Sequence, residues 1–116
     1  MLQKRFRLRQ KNDYELIYRK GRRIRGRYGM LLALNDWKHT NDDPLFGFIV
    51  GKKLGNAVKR HKFQRWMREI VRAYLKSASP ATLSKLKNMK FSFIAYEYPE
   101  SFELLNKEVN ELLKRI

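Results

Sequence analysis

The sequence predicts an α+β fold, a single-domain two-layer sandwich with helices against one sheet, in the order α-β-β-β-α-β-α. Three observations carry that expectation. Short apolar runs at residues 28–34, 45–50 and 91–96 have the length and pattern of strands. Between the last two, Phe63, Trp66, Met67, Ile70, Val71 and Tyr74 recur at helical spacing. After Pro99 and Ser101, the residues Leu105, Val109, Leu112 and Ile116 make a second apolar seam. A chain of 116 residues is one domain, long enough to bury roughly two-thirds of its unfolded surface.

Taken in order, a basic arm leads to Asn12, which stands three residues before Glu15 as a capping box requires, and Gly21 is placed to end that first helix. Tyr14, Ile17 and Tyr18 share its face. Residues 22–27 and 28–34 form one or two strands, with Gly26 and Gly29 allowing a bend or bulge, and residues 35–44 form a polar loop. Residues 45–50 read as a buried strand. Gly51 and Gly55 then make a turn that needs positive φ or a close backbone approach, and the central helix starts near Asn56. An N-cap role for Asn56 is at least as well supported as contact with a ligand. Residues 77–88, with Pro80, break the pattern before the last strand. There is no internal repeat or low-complexity tract.

Charge is the second organising feature. The chain has 27 Lys and Arg against 11 Asp and Glu, a formal net charge of +16. Residues 3–27 and 52–76 hold twenty of those cations, while the acids gather around Asp36, Asp42 and Asp43 and in the C-terminal segment. On the central helix His61, Lys62, Arg65, Arg68 and Arg72 fall opposite the apolar stripe. Between Lys59 and Arg72 there are six Lys or Arg and one acid, Glu69, so i,i+4 pairing cannot neutralise that face. A polyanion is the expected partner, nucleic acid ahead of an anionic membrane surface. No apolar span of membrane length exists and the N-terminus has no apolar run after its charges, so a soluble, cytoplasmic protein is expected, with no membrane partner.

The sequence offers little for catalysis. The stretch GFIVGKK is one residue short of a phosphate-binding loop, and Lys53 stands where a magnesium-binding hydroxyl belongs. Asp42 and Asp43 are adjacent but sit in a polar loop, and His39 and His61 have no relay spacing. No cysteine is present, which removes cysteine-based zinc sites and nucleophiles. His61, between Arg60 and Lys62, is better suited to donate to phosphate than to act as a base. Trp66 and Phe63 are expected in the core. Tyr14 and Tyr18 have two readings, core packing or stacking on unpaired bases, and the residues alone favour the core.

The segment KKLGNAVKRHKFQRWMRE resembles the protein component of bacterial ribonuclease P. Lys52, Lys53, Gly55, Asn56, Ala57, Val58, Arg60, Arg65 and Arg68 correspond to that family's KK, GNAV and arginine-rich positions. Supporting matches extend to RLRQKNDYELIYRKG and the region of Arg27. His61 and Lys62 stand where the family usually has Asn and Arg, Gln64 where a basic residue is common, and Gly51 where serine is common. Lys62 keeps the charge but not the bidentate guanidinium fork.

The resemblance implies the non-catalytic subunit of an endonuclease whose RNA does the chemistry, removing the 5′ leader of precursor tRNA by magnesium-dependent hydrolysis. The implied partners are the catalytic RNA and precursor tRNA, with at most a weak protein oligomer and no cofactor held by protein side chains. It places RNA-subunit contacts at Lys52, Lys53, Asn56, Arg60, His61, Lys62, Arg65 and Arg68. It places leader contacts at Tyr14, Tyr18, Met30 and Leu32, raising the stacking reading of the tyrosines above the core reading. It also implies a left-handed β-α-β crossover through the central helix, against the usual right-handed rule. The alternative from charge and aromatics alone is a ribosomal or general RNA-binding protein without a role in cleavage. A stand-alone nuclease is disfavoured by the lack of clustered acids.

Overall fold

A computed structural model describes residues 2–36 and 43–116 of the chain. The expectations for His39, Asp42 and most of the polar loop lie outside the described residues. The helices are α1 (Lys11–Lys20), α2 (Ala57–Ser77), α3 (Pro80–Lys85) and α4 (Phe102–Lys114), and the strands are β1 (Arg22–Arg25), β2 (Gly29–Asn35), β3 (Leu45–Ile49) and β4 (Met89–Ala95). Single 3-10 turns cover Lys4–Phe6 and Lys52–Leu54.

The four strands form one sheet in the order β1-β2-β4-β3. β1 and β2 make an antiparallel hairpin, β2 is antiparallel to β4, and β3 runs parallel to β4. Residues 50–88 therefore form a crossover between parallel neighbours, with α2 inside it. Strand alternation divides the sheet into two faces. Leu31, Ala33, Phe46, Phe91 and Phe93 join Phe63, Met67, Ile70 and Val71 of α2 and Leu105, Val109, Leu112 and Leu113 of α4 in the main core. Phe46 stacks on Phe91 with ring centroids 4.7 Å apart. On the other face Met30 and Leu32 meet Leu8 and Ile17 in a smaller cluster. The helices thus divide, α2 and α4 covering one face and α1 lying across part of the other. That partial cover leaves a cleft.

α1 departs from the capping expectation. It starts at Lys11 with Gln10 at the N-cap position and no side-chain cap, so Asn12 lies inside the first turn. Tertiary contacts seat the helix instead: Ile17 is fully buried and the Tyr14 hydroxyl donates to the Leu8 carbonyl at 3.1 Å. Gly21 does end the helix, its N–H donating to the Ile17 carbonyl at 2.7 Å.

Asn56 caps α2 by accepting from the Lys59 amide. Gly55 has a φ of 147°, which its lack of a Cβ permits. Gly51 has a φ of −83° and open space where a Cβ would stand, so the expected backbone demand there is absent. The break at residues 77–88 holds a short helix that periodicity misses. Ser79 caps it, accepting from the Thr82 amide at 3.2 Å, and Pro80 occupies its first turn.

Gly26 admits α4 to the hairpin. The Glu108 carboxylate accepts from the backbone amides of Arg27 and, at 2.8 Å, Tyr28, and a Cβ on Gly26 would lie within 2.9 Å of that carboxylate. Bonds to an ionised acceptor exceed neutral ones. Glu108→Ala is expected to cost about 2 kcal/mol, read as a lower urea midpoint at unchanged slope. An unchanged midpoint would show that water replaces the carboxylate without loss.

Candidate nucleic-acid interface

The outer side of α2 is built by its own sequence. With Phe63, Met67, Ile70, Val71 and Leu75 turned into the core, the intervening His61, Lys62, Arg65 and Arg72 are exposed and Arg60 and Arg68 half-exposed. A helix of 21 residues carries this stripe over about 31 Å. Ala57, Val58, His61, Lys62, Arg65, Arg68 and Glu69 line a shallow groove of about 660 Å³ along it. Among the described residues, no ion pair or side-chain hydrogen bond engages Arg60, Arg65, Arg68 or Arg72. The Arg60 Nε is buried without a partner. Lys52 and Lys53, on the turn before the helix, are exposed as well.

Two cations of this region rest on rings instead. Lys62 Nζ lies 5.1 Å from the Trp66 ring and Lys59 Nζ 5.6 Å from that of Tyr98. Trp66 is half-buried, contrary to its expected place in the interior. It closes the margin of the core, 5.7 Å from the Tyr98 ring and edge-on to Phe102 at 6.0 Å.

The second region is the cleft beside α1. The Tyr14 ring packs directly on Gly47, where a Cβ would lie 2.2 Å from its hydroxyl oxygen. Burial raises the Tyr14 phenol above its ordinary value, partly offset by a backbone hydrogen bond. Tyr18 is 52% exposed. With Tyr14, Glu15, Arg19 and Ile49 it borders an open cleft of about 590 Å³. Met30 and Leu32 are on the expected face but only 4% and 1% exposed. They pack with Leu8 and Ile17 in the smaller cluster, forming the floor beneath α1.

Sequence reasoning missed Arg23. Its guanidinium lies 4.7 Å from the Tyr18 ring and donates to the Tyr18 carbonyl at 2.8 Å. The signal was available, since the period of two in β1 puts Arg23 on the same face as its partner Leu32. Lys90 was missed too. It is 4% exposed, on the α1 face of the central strand, and its Nζ donates to Asp13 at 3.1 Å and to Asp36 at 2.9 Å. Burial pulls its pKa down, but the bonds to Asp36 and Asp13 outweigh that and hold it above the ordinary lysine value.

A mixed α+β module with a one-sided cationic helix and an aromatic cleft across its sheet defines a class, the small basic nucleic-acid-associated proteins. The comparisons narrow it. The family model described as Ribonuclease P matches residues 2–116, and the chain belongs to that family. A ribonuclease P protein component from Acidothermus cellulolyticus is 34% identical over 116 residues, covering 100% of this chain and 92% of the relative. One from Syntrophomonas wolfei is 38% identical over 74 residues, covering 64% of this chain and 60% of the relative. The solved RNase P protein of Staphylococcus aureus superposes with a TM-score of 0.77 at 26% identity, covering 95% of this chain and 94% of that one. That of Thermotoga maritima gives 0.76 at 27% identity, covering 95% and 96%. Membership makes the chain a component of a tRNA-processing ribonucleoprotein with endoribonuclease activity.

Proposed function

We propose that this chain is the protein subunit that holds the catalytic RNA of ribonuclease P through α2 and the single-stranded 5′ leader of precursor tRNA through the cleft beside α1. The observation that carries this reading is the set of unpaired guanidinium groups on α2. Cations with no internal partner release the counterions of a polyphosphate at no cost in broken ion pairs. Lys52, Lys53, Asn56, Arg60, His61, Lys62, Arg65 and Arg68 form the proposed RNA-subunit contact, although the Asn56 side chain is already engaged as a cap. Tyr18, backed by Arg23, offers a ring to an unpaired base, and Tyr14 sets the inner wall.

Among the described residues, no group of three or more His, Cys, Asp or Glu side chains is placed to hold a metal ion, and Asp43 lies 3.9 Å from Arg5. Magnesium, in this reading, is held by the RNA–protein complex, and hydrolysis belongs to the RNA. Among the described residues, no helix is long and apolar enough to cross a membrane, and the proposed place of action is the cytoplasm.

Adding the protein to its catalytic RNA at low magnesium should raise the rate of precursor cleavage; no gain would refute the proposal. Binding should weaken with salt at a log–log slope of about 0.7–0.9 per phosphate contact. Arg65→Ala and Arg68→Ala should each lower that slope by about this amount with little change in melting temperature. A slope unmoved by both would place the RNA elsewhere.

A further inference from the structure

The cleft is only as wide as α1 allows, and the chain holds α1 down in two different ways. The C-terminal half of the helix is seated by packing, with Ile17 against Met30 and Leu32. The N-terminal half, where Tyr14 packs on Gly47, is held in addition through charge: Asp13 of α1 and Asp36, just beyond β2, both take hydrogen bonds from Lys90 of the central strand β4. Buried ion networks add little net stability over apolar replacements, but they fix register and orientation, because each charge is costly anywhere except against its partner.

We infer that Asp13 is a positioning residue, whose bond to Lys90 sets the tilt of α1 and thereby the opening between Tyr14, Tyr18 and Ile49. The inference rests on the reading that this cleft takes the leader. Asp13 itself does not line the cleft. It sits one residue before Tyr14, whose ring reaches Gly47 on β3, so loss of the tether lifts the inner wall of the cleft. Lys90 is left neutralised by Asp36, and the fold therefore survives removal of Asp13 alone.

The test is Asp13→Ala in the full chain, assembled with the catalytic RNA, measuring affinity for precursor tRNA with a leader and for the same tRNA without one. The ratio of the two affinities should fall about tenfold, equivalent to one stacking contact at the low end of its range. Affinity of the protein for the catalytic RNA should be unchanged, and amide exchange in the first turns of α1 should quicken. Asp13→Asn, equal in shape and without charge, should lower the ratio in the same direction, and serves if the alanine variant does not fold. An unchanged ratio, or a parallel loss of affinity for the catalytic RNA, would overturn the inference. Tyr18→Ala separates the two layers of the argument. If it too leaves the ratio unchanged, the leader reading of the cleft fails. If it lowers the ratio while the Asp13 variants do not, only the positioning role fails.

Discussion

Replacing Lys90 with alanine is expected to cost about 3–5 kcal/mol of folding stability, because removing one partner of a buried ion network leaves the others charged in a poor solvent. Asp36 is 7% exposed, so water has little access to its carboxylate. Urea denaturation at neutral pH measures the loss directly. The pH dependence gives a second check. The pKa of Lys90 is raised in the folded state above its ordinary 10.5, so its contribution is fully present below that value and is lost as pH climbs through the folded pKa. The difference between wild type and Lys90→Ala should therefore be constant from neutral pH to about 10 and shrink above it. A difference below about 1 kcal/mol at neutral pH would show that the network is solvated in solution.

Phe63→Ala is expected to cost about 3–5 kcal/mol and Trp66→Ala about 2 kcal/mol, although tryptophan is the larger side chain. Phe63 has no exposed surface and stacks near Phe93 at 6.2 Å. Its removal opens a cavity under the helix. Trp66 lies at the margin with one flank covered by Lys62, so neighbours and water can close over the gap. Melting curves of the two variants decide the matter. A larger loss for tryptophan would mean that α2 is rotated from the orientation that frees its arginines.

Most of the fold was legible because periodicity is a direct imprint of burial. The apolar stripe on α2, the seam on α4 and the strand runs each face what their spacing predicts. The cationic face of α2 was legible for the same reason, being what remains once the buried positions are removed. For the cleft, strand alternation puts Met30 and Leu32 on one face but does not say which part of that face a helix will cover. Lys90 was passed over because a lysine in a basic chain carries no mark of its burial, and its partners Asp13 and Asp36 lie far away in sequence. Trp66 fell between categories, since 100° steps place it on the apolar side but do not say how far that side extends.

The position of β4 between β2 and β3 has a consequence for synthesis. β3 pairs with β4, and among the described residues it makes no ladder with β2. On the ribosome, residues 45–49 must therefore wait some forty positions for the strand that completes them, holding an uncapped apolar edge meanwhile. The insertion of Met89–Ala95 is thus the step at which a nascent chain stops being a risk for aggregation, and slowing translation just before it should lower the yield of native protein.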